Sequence, residues 1–157
     1  IKRDPIELLK SIKQHALNYQ EHCYEMSIIT DALKTFLNLK QREGESLQDY
    51  TRRFKTSRDV MESHLGGPII LTKYVQTMAG YSKTDKVKIN ELVEEAYKMM
   101  VAYLYLDNTD KNKYGSLLTQ LQTQQSLGNN QYPKTISEAA NVLSSQKRIG
   151  LTFSSQK

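Results

Sequence analysis

Tryptophan is absent from the 157 residues, cysteine occurs once, at Cys23, and proline and glycine number only three and seven. A lone cysteine excludes an internal disulfide and every zinc site built from several thiolates, and it makes a reducing compartment the default. No stretch approaches the ~20 consecutive apolar residues that a bilayer-spanning helix needs, and no signal-like apolar core follows Ile1. The sequence therefore reads as neither a membrane protein nor a secreted precursor. Starting at Ile1 rather than at Met, it reads as a piece of a longer polypeptide.

A concentrated block of basic charge is missing too. The net charge is +5, but residues 1–65, 66–106 and 107–157 carry nets of only +1, +1 and +3. Nucleic acid is at most a secondary partner of such a surface. There is no Gly-rich phosphate loop, no Gly-x-Ser-x-Gly and no carboxylate pair in an apolar setting. His15, His22 and Cys23 offer no second close ligand pair for a metal. Glu94-Glu95, among Lys86, Lys88 and Lys98, reads as a solvated helix face. No catalytic residue, metal, cofactor or small-molecule substrate is expected.

What is present is helical periodicity. With 38% hydrophobic and 25% charged residues, apolar positions recur at helical spacing and never alternate for the length of a strand, which predicts an all-α chain. Asp4 with Pro5 opens a first helix to about Tyr19, with Ile6, Leu9, Ile12 and Ala16 on one face. A second runs from about Tyr24 to Gln41, with Ile29, Leu33, Phe36 and Leu37 inward, and Gly44 follows it. Ser46 and Asp49 cap a third, which turns Leu47, Tyr50, Phe54, Met61 and Leu65 inward until Gly66-Gly67-Pro68.

A small helix is expected within residues 69–78, presenting Tyr74, Val75 and Met78. Thr84-Asp85 then caps a long helix to about Leu106, with Leu92, Ala96, Tyr97, Met100, Tyr103 and Leu104 on its core stripe. Met99, Val101 and Tyr105 lie off that stripe and are candidates for self-association, because a small domain rarely covers a helix on all sides. Asn108-Thr109-Asp110 separates a helix bearing Tyr114, Leu117, Leu118 and Leu121. After the turn at Gly128, Thr135 and Glu138 cap a last helix bearing Ile136, Ala139, Ala140 and Leu143. Residues 149–157 read as a flexible tail.

The stretch from Gln41 to Phe54 carries the most information. Glu45 precedes the third helix and Arg53 lies two turns into it, so a carboxylate folded back could meet a guanidinium and tie loop to helix. Gln41 could satisfy backbone groups left open by the Gly44 turn. The same residues also read as a plain loop before a capped helix with surface charges.

This spacing resembles the major homology region of retroviral and retrotransposon capsid proteins, with Gln41, Glu45, Tyr50, Arg53 and Phe54 in place. It departs where a glycine is expected directly after the glutamine, since Arg42 stands there and Gly44 comes two residues later. Residues 103–122, together with Pro133-x-Thr135-x-x-Glu138-Ala139, resemble the closing part of retrotransposon Gag capsids. Residues 4–147 as a whole are most similar to Gag polyproteins of copia-type LTR retrotransposons.

The resemblance implies a two-part, capsid-like helical protein, with residues 1–38 ending an amino-terminal domain and 39–148 forming the carboxy-terminal domain. It further implies self-assembly into a cytoplasmic virus-like particle that encloses RNA, with RNA held mainly by regions outside this segment. An alternative reading is a helical nucleic-acid-binding adaptor that uses Arg52, Lys55 and Arg58 on phosphates.

Overall fold

The structure, a computed structural model, describes residues 5–21 and 24–154. Among these the chain is all-α. Its seven helices are α1 (Pro5–Glu21), α2 (Glu25–Asn38), α3 (Leu47–Leu65), α4 (Thr72–Thr77), α5 (Lys86–Asp107), α6 (Lys111–Ser126) and α7 (Ile136–Ser154). The cap expected at Asp4, like His22 and Cys23, lies outside the described residues.

The helix ends follow local chemistry. Ser46 Oγ accepts the Asp49 amide at 3.1 Å and starts α3, while Gly66 ends it with φ of 80°, the left-handed conformation that glycine adopts without steric cost. Asp85 accepts the Lys88 amide, and Asp110 the Asn112 amide, at the starts of α5 and α6. At α7 the Glu138 amide donates to Thr135 Oγ1 at 3.2 Å. The Glu138 carboxylate reaches back to accept the Lys134 amide at 3.0 Å, in the manner of a capping box.

One core joins α2, α3, α5, α6 and α7. Phe36, Tyr50, Phe54, Met61, Tyr105, Ala139 and Leu143 are fully enclosed in it. Its centre is aromatic: the Phe36 and Phe54 rings lie 5.1 Å apart, Tyr50 stacks on Tyr105 at 5.0 Å, and Phe54 meets Tyr105 edge-on at 5.3 Å. A smaller cluster, Val75 with Leu92 and Ala96, seats α4 against the first half of α5.

Phe36 of α2 packs on Phe54 of α3, so the helices on either side of residues 38/39 share one core. Several expectations are corrected here. Val101 and Tyr105 are 2% and 0% exposed, so neither offers a surface to another molecule, whereas Tyr103, expected in the core, is 54% exposed. The physical reason is that α5 is surrounded: α4 packs on its first half, and Tyr50 and Phe54 of α3 and the apolar face of α7 pack on its second. Leu37 and Leu65, expected inward, sit exposed at the last turns of their helices. Residues 149–154, expected in a tail, are the last turns of α7. Ile6, Leu9 and Ile12 of α1, expected to form an apolar face, are largely exposed.

Candidate functional site, a junction of helix ends

Every α-helix leaves carbonyls at its C-terminus and amides at its N-terminus without intrahelical partners. Four such ends meet around Gln41: the close of α2, the start of α3, the close of α5 and the start of α6. The carbonyls of α5 are satisfied one by one. Leu104 O accepts the Asn108 amide, Tyr105 O the Tyr50 hydroxyl at 2.7 Å, and Leu106 O both the amide and the hydroxyl of Thr109. Asp107 O accepts from Lys111 Nζ, and Asn108 O takes the Gln41 amide at 2.9 Å. Asn108 in turn donates its side-chain amide to Leu37 O of α2 at 3.1 Å.

Gln41 is 8% exposed and uses both ends of its side chain. Nε2 donates to Glu45 O at 3.1 Å, and Oε1 accepts the Asp110 amide at 3.0 Å, 69 residues away. The loop itself is a tight turn closed by the Glu45 amide on Arg42 O at 3.1 Å. Its third residue, Gly44, has φ of 76°. The glycine that stands two places late thus serves the one position of this turn with a left-handed backbone.

Arg53 grips the turn from α3. Its Nε and Nη2 bind the two Glu45 oxygens at 2.6 and 2.7 Å, a fork-on-fork pair, and Nη2 also donates to Lys40 O at 2.9 Å. The Arg42 amide adds a further bond to Glu45 Oε1 at 3.0 Å. The Glu45 side chain is 9% exposed. The Arg53 hydrogen bonds outweigh its desolvation and, with the Arg42 amide, hold its carboxyl down at about 2. The Arg53 guanidinium is stabilised reciprocally, its pKa raised by the bonds to Glu45. Tyr50 and Phe54, the remaining residues of the pattern, lie on the buried side of the same helix.

A second hydroxyl chain lines the junction. Thr51 Oγ1 donates to Leu47 O at 2.6 Å, which leaves the Tyr105 hydroxyl as donor in its 2.7 Å bond to Thr51 Oγ1. Burial pushes the Tyr50 and Tyr105 phenols above the usual tyrosine range.

The other candidates stand apart from this site. Arg52 faces Asp49 at 3.7 Å; Arg58 binds Asp59 at 3.0 Å and stands 3.9 Å from Glu62, which itself accepts the Tyr97 hydroxyl at 2.8 Å. Lys55 is exposed between them. Met99 is half-buried at a groove on the far half of α5. The sequence pattern does not mark Thr51, Tyr105, Asn108 and Asp110 as members of the junction. Asn108-Thr109-Asp110 signals a break in helical pattern, but which distant helix ends it would satisfy is a property of the fold. Among the described residues no group of three His, Cys, Asp or Glu side chains is placed to hold a metal, and no helix is long and apolar enough to cross a membrane.

The junction is a structural device: it neutralises polar helix ends at the border of an aromatic core. No protein-family model, curated protein or solved structure matches the chain that carries it.

Proposed function

We propose that this chain is a self-assembling structural module, the capsid segment of a copia-type retrotransposon Gag protein, whose copies build the shell of a cytoplasmic particle around RNA. The observation that carries the reading is the division of labour within the Gln41–Phe54 pattern. Gln41, Glu45 and Arg53 brace one turn, while Tyr50 and Phe54 anchor the same helix in the core. Each position of the spacing that resembles the homology region has a distinct mechanical task, and a shell protein needs rigid helices more than it needs a reactive pocket.

The adaptor alternative draws less support. Carboxylates stand beside Arg52 and Arg58. The nearby depression of about 440 Å³ is lined by Lys55, Arg58 and Lys98 but also by Glu62 and Glu94, which weakens the attraction for a phosphate backbone. The test is sedimentation velocity across protein concentration, at low and high salt, with and without RNA. Assembly that grows with concentration and changes little with salt is expected. A monomer at every concentration that binds RNA with steep salt dependence would establish the adaptor instead.

A further inference from the structure

Among the described residues, two apolar surfaces outside the core bear on assembly. On α1, Leu8, Leu9 and Ile12 are 61%, 60% and 57% exposed, and at helical pitch they form one stripe roughly 100° wide. Lys13 borders the stripe on the Leu9 side, and Lys10 lies behind it. The second surface is a groove of about 330 Å³ walled by Tyr74 of α4, Met99, Met100 and Tyr103 of α5, and Tyr132 and Pro133 before α7. The Tyr103 and Tyr132 rings pack edge-to-face at 5.8 Å and stiffen one wall. Tyr74 and Tyr103 are 46% and 54% exposed at the rim.

One charge at the edge of each surface is opposite in sign, Lys13 beside the stripe and Glu95 beside the groove. Glu95, exposed and in no ion pair among the described residues, stands one turn before Met99. Asp107, which shares Lys111 at 3.5 Å, stands one turn after Tyr103. Lys13 at the edge of the stripe thus matches Glu95 at the edge of the groove, the Asp107 charge being already met by Lys111, and methionine thioethers suit a groove that must accept leucine and isoleucine side chains.

We infer that α1 of one copy docks in the Tyr74–Met99–Tyr103 groove of the next, with Lys13 beside Glu95. The inference rests on the assembly reading and specifies its contact. Because the two surfaces differ, the contact is heterologous: each copy gives a helix to one neighbour and receives a helix from another. Such a contact propagates into rings or open arrays and does not stop at a dimer.

The prediction is tested with two full-length variants, each altered only at exposed residues. Leu9→Asp/Ile12→Asp spoils the helix and keeps the groove; Tyr103→Asp spoils the groove and keeps the helix. In sedimentation equilibrium each variant alone should remain monomeric where the wild type grows, a loss of association of roughly ten-fold or more. An equimolar mixture should give a 1:1 dimer that grows no further. Circular dichroism verifies that both variants keep their helices. Charge exchange gives a milder check: Lys13→Glu should weaken association, and Glu95→Lys in the same chain should restore it. Variants that assemble like the wild type, or a mixture that stays monomeric, would overturn the inference while leaving assembly intact. A wild type that never self-associates would remove the assembly reading as well.

Discussion

Glu45 is a carboxylate with little access to water, kept ionised by the groups around it. Removing Arg53 leaves that charge without its main partner, so Arg53→Ala should lower stability by about 1–3 kcal/mol in urea denaturation. Arg53→Lys should recover only part of the loss, because an ammonium cannot match both oxygens and the Lys40 carbonyl at once. The pH dependence follows from the depressed carboxyl, which moves from 4.5 to about 2 on folding. A group bound more weakly to its proton in the folded state adds stability above its unfolded value and loses it as pH falls toward the folded one. Wild-type stability should therefore drop between about pH 5 and pH 2, and Glu45→Gln, weaker at neutral pH, should show a shallower acid limb. Equal acid limbs in the two proteins would contradict this account of the pair.

At the scale of the element, α3 has independent devices at its two ends. Ser46→Ala removes an N-cap, and Gly66→Ala forces a side chain into a left-handed backbone at φ of 80°, where no neighbouring atom crowds the added carbon. Each change should cost about 1 kcal/mol. The ends are separated by 19 residues, roughly 28 Å of helix, so the double variant should show the simple sum in urea denaturation. A clearly larger combined loss would mean that the helix ends are coupled through the core. These end signals were legible in the sequence because they are local: Ser46, Gly66, Asp85 and Thr135 act on amides or backbone within a few residues. The Glu45–Arg53 tie was legible for the same reason, spanning only eight residues. The faces of α5 were not. A periodic stripe marks positions suited to burial, but Val101 and Tyr105 are buried because α3 and α7 close over flanks that another fold would leave open. Conversely, Tyr103 fits the stripe and ends at the rim of a groove.

For the whole molecule, the aromatic core sets an alkaline limit. Burial raises the phenols of Tyr50, Tyr97, Tyr105 and Tyr114 above the ordinary value of 10.0, with a hydrogen bond to Glu62 adding to the effect at Tyr97. The unfolded chain gives up these protons first, so stability should hold up to about pH 10 and fall above it. Tyrosinate absorbance from the buried rings should rise together with loss of helical circular dichroism; full ionisation of all ten tyrosines before unfolding would contradict the packing described. The meeting of four helix ends at Gln41 has a further consequence, one of timing. The Gln41 and Asp110 amides both sit in short connections, where backbone protons normally trade with solvent quickly, yet each is held by a partner nearly seventy residues away in the chain. Neither proton can be freed by fraying of a single helix. In deuterium both should persist as long as protons of the innermost turns of α5 and disappear together, and Gln41→Ala should release the Asp110 proton early while those inner turns keep theirs.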